Sequence, residues 1–192
     1  EGAIIVSNQT CPIDPFFIQI QANRVMHWMV AKEYCSHWAL AWIFRIAESI
    51  PVNRAGVDTA ATKMAIRYAQ EGGVVGLFPE GRINASDHLL LPGRSGAALI
   101  AVKAGVPVIP CYIEGAPYNG TEYGSFFMSA NVKLYIGEPI DVSDYAERED
   151  HKEALGELTK RFLKEIAMLA GHPEFEPQLA GREWRKQQDP FF

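Results

Sequence analysis

Apolar residues recur along this chain in two rhythms, short unbroken runs and helical stripes, and the two alternate. Runs that are apolar or β-branched and bounded by Gly, Pro or Asn cover Ala3 to Ser7, Val74 to Phe78, Val106 to Tyr112 and Val132 to Ile136, and they predict strands. After the first run, Phe17, Ile20, Val25, Trp28 and Met29 fall roughly on one helical face and predict a helix over Phe16 to Lys32. Trp38 to Ala47 is a second, strongly apolar helical stretch. Thr59 to Gln70 follows Asp58, a residue suited to an N-cap, and stops at the Gly72-Gly73 pair. Ser95 to Ala104 is ended by Gly105, and Asp150 to Leu169 carries Leu155, Leu158, Phe162, Ile166 and Leu169 on one side. Strands alternating with helices predict an α/β fold, a mixed, largely parallel sheet flanked by helices. From His172 onward, past Trp184 to Phe191, the pattern fades into a tail that packs on the surface or extends from it.

Composition narrows the picture. With 192 residues, 48% of them hydrophobic, the chain is long enough for one α/β core and too short for two, so we expect a single domain over residues 1–171 and a tail over 172–192. The net charge of -5 and the lack of a basic tract exclude nucleic acid as an expected partner. Cys11, Cys35 and Cys111 are widely spaced, odd in number and without metal-ligand spacing, which fits a reducing compartment. No signal peptide is visible, and no run approaches the ~20 apolar residues that cross a bilayer. Trp38 to Ala47 is about half that length, is bounded by His37 and Glu48 and contains Arg45, so it reads as an amphipathic helix buried on one side. Only Glu1 and Gly2 precede the first strand, and the expectation is that a native N-terminal segment is missing.

Candidate chemistry lies where runs give way to stripes. Asn8-Gln9-Thr10-Cys11-Pro12-Ile13-Asp14 occupies a strand-to-helix turn. Phe78-Pro79-Glu80-Gly81-Arg82 ends another strand, where a glycine lets backbone N–H groups approach an anion and an arginine grips phosphate with two prongs. The same strand-Pro-Glu-Gly pattern is also a serviceable turn. Pro92-Gly93-Arg94-Ser95-Gly96 opens a helix, so that backbone donors, the helix dipole and Arg94 face one direction, either as an anion site or as a plain helix start. Pro51-Val52-Asn53-Arg54 lies between these blocks. Val106-Pro107-Val108-Ile109-Pro110 reads on physics alone as a buried strand with an interrupted ladder.

In order and spacing these blocks resemble the motifs of the glycerolipid acyltransferases of the lysophosphatidate type, over Asn8 to about Gly137. The resemblance implies transfer of a fatty acyl group from a coenzyme A or acyl-carrier-protein thioester to a hydroxyl of a lysophospholipid or glycerol phosphate, with no cofactor and no covalent acyl-enzyme. It implies substrate contacts at Asn8, Arg54, Glu80, Gly81, Arg82 and Arg94, with Glu80 binding the glycerol hydroxyl or holding Arg82. It also implies a membrane surface as partner, on the cytoplasmic side, reached peripherally or through the missing N-terminal segment.

The family's first motif is Asn-His-x-x-x-x-Asp, in which an Asp orients a His that takes the hydroxyl proton. Asn8 and Asp14 match it. Gln9 stands in the place of the His, and a primary amide has no useful basicity near neutral pH. Three readings of Gln9 are open: a substitution introduced to trap a complex, a natural loss in a non-catalytic lipid-binding or thioester-binding relative, or a base supplied from elsewhere. Cys11 is either an acyl-accepting thiol or a small buried filler. His27, His37 and His88 have no neighbour in sequence that marks them as bases. Phe16, Phe17, Trp28, Trp38, Trp42 and Phe44 either line an acyl groove or form core.

Overall fold

The computed structural model describes residues 1–32, 41–53, 58–117 and 128–181, with the side chains of residues 41–43 left out. Cys35, His37, Trp38, Arg54, Trp184 and Phe191 lie outside the described residues, as does the side chain of Trp42.

Six strands, β1 (Ala3–Ser7), β2 (Met26–Ala31), β3 (Ile50–Val52), β4 (Val74–Leu77), β5 (Val108–Glu114) and β6 (Lys133–Ile136), form one sheet in the order β3-β2-β4-β1-β5-β6. The first five in that order are parallel and β6 runs antiparallel to β5. All five residues of β1 are buried, which is why it reads as an uninterrupted apolar run: a central parallel strand has both faces covered. Ile4 and Val6 face one side with Val75, Leu77 and Val108; Ile5 faces the other with Val74, Trp28 and Ile113.

Helices α3 (Thr59–Gln70), α4 (Gly96–Ala104) and α6 (His151–Leu169) cover the first face. Ala61, Ala65 and Ala69 recur at intervals of four, so α3 sinks close to the sheet, and a Cβ on Gly2 would stand 1.9 Å from the Ala69 carbonyl oxygen. From α6, Leu158, Phe162, Leu163 and Ile166 are fully buried. The second face carries α1 (Asp14–Gln21), whose Ile18 is buried; α2 (Ala41–Ile46) and the short α5 (Ser143–Ala146) complete the described helices. Asp58 caps α3, its Oδ1 accepting from the Ala61 N–H at 3.0 Å, and Gly105 ends α4 at φ +65°.

The expected helix over Phe16 to Lys32 is corrected. It stops at Gln21, and Met26–Ala31 is a strand. Ile20 and Val25, counted in the helical stripe, are 74% and 54% exposed, whereas Met26 and Trp28 alternate inward at the period of a strand. Gln19 closes the intervening turn: its Nε2 donates to the Arg24 carbonyl at 2.8 Å and its Oε1 accepts the Met26 N–H at 2.9 Å. β3, only three residues long, and α5 carried too little pattern to be read. Among the described residues no helix is long and apolar enough to cross a membrane. Residues 172–181 turn back from the end of α6 and run along the loop before α4, where Leu179 pairs with Gly93.

Candidate active site

β1 and β4 are parallel neighbours with Val6 opposite Leu77, so the segments that follow them, Asn8 to Asp14 and Phe78 to Arg82, leave the sheet side by side. The carboxyl ends of parallel strands at such a position are where α/β sheets bind ligands.

Residue 9 is held by its backbone from both sides. Its N–H donates to Glu80 Oε1 at 3.1 Å, and its carbonyl accepts the Asn84 N–H at 2.7 Å. Glu80, with no exposed surface, receives the Leu91 N–H on its other oxygen at 2.7 Å and so ties three chain segments together. The Gln9 side-chain amide, half-buried, makes no hydrogen bond among the described residues.

Asn8 is 2% exposed. Its Nδ2 donates to the Ile113 carbonyl at 3.0 Å and its Oδ1 accepts the Ile113 N–H at 2.8 Å, joining the end of β1 to β5 where the ladder would otherwise stop. Grouped with the substrate contacts on sequence, Asn8 and Glu80 have their polar atoms committed to backbone and hold the motif loops in register.

Asp14 opens α1 and is fully buried. Its Oδ2 accepts the Thr10 and Cys11 N–H groups at 2.6 and 2.9 Å, and Oδ1 accepts the Cys11 thiol at 3.0 Å. These bonds go to Thr10 and Cys11, not to the Gln9 side chain. Burial raises the Asp14 carboxyl above its usual range against the pull of those donors. Burial first, then the Asp14 charge, pushes the Cys11 thiol far upward. It stays protonated and donates, which is the filler reading of Cys11 and not the nucleophile reading.

Gly81 has φ +69°, and the side chain of Arg94 lies over it: a Cβ there would meet Arg94 Cδ at 2.9 Å. The Arg94 N–H donates to the Pro79 carbonyl at 2.8 Å, which brings the arginine from before α4 to the Phe78–Arg82 loop. Arg82 follows Gly81, half-buried, and its charge lowers the Glu80 carboxyl. Arg82 and Arg94 thus meet at Gly81, whose own N–H is taken by the Phe78 carbonyl at 3.0 Å.

His27 stacks on Tyr68 at 4.1 Å, and His88 is exposed, its carbonyl accepting the Asn84 side chain; neither enters the site. Trp28 stacks on Phe78 at 5.2 Å within the second-face core, and Phe16 approaches Phe44 at 6.5 Å. Among the described residues no group of three or more His, Cys, Asp or Glu side chains is placed to hold a metal. Sequence reasoning missed Asn84, the Leu91 N–H and the pairing of residues 178–180 with Gly93. All act mainly through backbone groups, which leave no mark on residue type.

The Glu80 carboxyl is pushed up to about 8, first by burial; the Leu91 and Gln9 N–H groups lower it, the Asp14 charge raises it and Arg82 lowers it. The folded chain therefore retains a proton that the unfolded chain gives up at about 4.5. Stability should fall as pH rises from about 4.5 to about 8 and level off above, with Asp14 adding in the same sense. Thermal melts across that window check this, and Glu80→Gln should flatten the slope. An unchanged slope in that variant contradicts the assignment.

The model of the family described as Acyltransferase matches residues 1–114, a stretch that includes both motif loops and α4. The chain belongs to the glycerolipid acyltransferase family. It is 31% identical over 145 residues to the 1-acyl-sn-glycerol-3-phosphate acyltransferase of Bacillus subtilis (strain 168), which covers 75% of this chain and 68% of that protein. A human relative, 1-acyl-sn-glycerol-3-phosphate acyltransferase beta, is 29% identical over 73% of this chain, which spans 51% of its length; for the Limnanthes alba acyltransferase of the same name that share is 41%. The crystal structure of the 1-acyl-sn-glycerophosphate acyltransferase PlsC from Thermotoga maritima superposes with a TM-score of 0.63 at 25% identity, over 86% of this chain and 66% of that one. The family is one of enzymes, and its fold is the mixed, largely parallel six-stranded sheet described above.

Proposed function

We propose that this chain moves a fatty acyl group from a coenzyme A or acyl-carrier-protein thioester to the hydroxyl of a lysophosphatidate or glycerol phosphate, at a rate limited by Gln9. The observation that carries the reading is the joining of the two motif loops at residue 9, whose N–H and carbonyl are both held by the loop that bears Gly81 and Arg82. Arg82 and Arg94, with Arg54 by resemblance, bind the acceptor phosphate. The acceptor hydroxyl oxygen attacks the thioester carbonyl, the C–S bond breaks, the thiol leaves and the hydroxyl proton must be removed. The residue at position 9 stands where that proton would go, and an amide cannot take it. Asp14 acts on position 9 by fixing the turn at Thr10 and Cys11. A membrane surface, on its cytoplasmic side, supplies the lipid acceptor.

A second reading, a relative that binds lipid or acyl thioester without turnover, is favoured by Gln9 itself and by an Asp14 carboxylate whose bonds go to Thr10 and Cys11. Turnover separates the two, and binding of the acceptor phosphate is common to both. Arg82→Ala and Arg94→Ala should each weaken lysophosphatidate binding by roughly 10- to 100-fold, the worth of a charge-assisted hydrogen bond, and leave the dephosphorylated analogue nearly unaffected. Titration calorimetry with both ligands checks this; equal losses would give the arginines a structural role. Arg54→Ala is the same test of the third arginine.

A further inference from the structure

The chain leaving α6 returns to the arginine loop. The Lys164 ammonium donates to the Phe175 carbonyl at 2.7 Å, and the Phe175 ring packs against the core. Residues 178–180 then run beside Gly93: the Gly93 N–H donates to the Gln178 carbonyl at 2.8 Å, and the Ala180 N–H donates to the Gly93 carbonyl at 2.9 Å. Leu179 lies over Gly156 of α6, its Cδ1 3.1 Å from where a Cβ would stand. On its other side Gly93 presses on the same helix, since a Cβ there would meet Leu163 Cδ1 and Thr159 Cγ2 at 2.8 Å each.

Gly93 sits between two contacts of the site. Two residues before it, the Leu91 N–H donates to Glu80; one residue after it, Arg94 bonds the Pro79 carbonyl and covers Gly81. Both backbone polar groups of this buried glycine are committed to residues 178 and 180. Without them Gly93 would be held only by its packing on α6, and a shift there would be passed to the adjacent Arg94.

We propose that residues 178–180 form a positioning strap, which fixes Gly93 and so places Arg94 and the Glu80 clamp for the phosphate of the acceptor. The strap lies beyond the residues matched by the family, which end at 114. Its effect on the acceptor rests on the acyl-transfer reading, whereas its effect on the loop does not.

The test uses Ala180→Pro, which removes the N–H donated to Gly93, beside Ala180→Gly, which keeps it. In a Gln9→His background, Ala180→Pro should raise the KM for lysophosphatidate by about 3- to 10-fold, the scale of one hydrogen bond, while kcat and the thioester KM move less than about twofold. Ala180→Gly should keep the unsubstituted acceptor KM. Independently of activity, amide hydrogen exchange in the otherwise unsubstituted chain should quicken at Leu91 and Arg94 in the Pro variant and not in the Gly variant. Unchanged exchange at those two amides would overturn the strap, as would an equal rise in both KM values or a Gly variant that behaves like the Pro variant. If Gln9→His yields no ester product, the acyl-transfer reading fails, and exchange alone then decides whether the strap holds the loop.

Discussion

Replacing Gln9 with His is expected to raise the rate of acyl transfer by at least ~100-fold, the lower end of what a placed general base contributes. The backbone at position 9 need not move for this, because Glu80 holds its N–H and Asn84 its carbonyl whatever the side chain. The Asp14 carboxylate lies in the same turn, where its Oδ1 accepts the Cys11 thiol. Through Thr10 and Cys11 that carboxylate fixes the turn, so the backbone that would carry an imidazole at position 9 is already set. The variant should also acquire a rate that climbs with pH through the ordinary imidazole range, roughly pH 6.5, where a base must lose its proton before it can act. The unsubstituted chain should show no such limb. Rates measured from pH 5 to 8 with saturating thioester check both expectations; a variant no faster than the parent removes position 9 from the mechanism.

The second large effect is on stability. Asn8→Leu should cost about 2 to 6 kcal/mol, because it strands the buried N–H and carbonyl of Ile113, each worth about 1–3 kcal/mol when left unpaired. Asn8→Asp should be no milder: one oxygen still accepts the Ile113 N–H, but the other replaces a donor with an acceptor against the Ile113 carbonyl, at a site 2% exposed. Urea midpoints of the two variants check this. A loss under about 0.5 kcal/mol for either would mean that water or a rearranged β5 satisfies Ile113 instead.

These two residues also mark how far the sequence could be read. The parallel sheet was legible because β1, β4 and β5 are short buried runs bounded by turn residues, and α3 and α6 carry clear stripes and helix ends. β2 was misread because Trp28 and Met29 fit a helical stripe as well as a strand with both faces covered, and the parallel ladders to β4 and β3, set far along the chain, decide between them. In the site, residue type located the motif loops but not the backbone groups that their polar side chains hold. Asn8 and Glu80 sit in motif positions that the resemblance assigns to substrate contact, and Asp14 in the position it assigns to orienting residue 9. Their burial at 2%, 0% and 0% commits them to amides of Ile113, Thr10, Cys11, Gln9 and Leu91. Buried polar groups must be paired, and which backbone groups pair them depends on segments far apart in the chain. Asn84 and the 178–180 strap were invisible for the same reason.

The proposed reaction transfers an acyl group to a phosphate-bearing hydroxyl acceptor, with position 9 controlling the proton. The most direct measurement follows free thiol and esterified product together, for the chain and its Gln9→His variant, with acyl thioester in the presence and absence of lysophosphatidate. The expected result is thiol release that requires the acceptor, one ester formed per thiol released, and a rate in the variant at least ~100-fold above the parent. Release at the same rate without acceptor, or equal rates for the two chains, would contradict it.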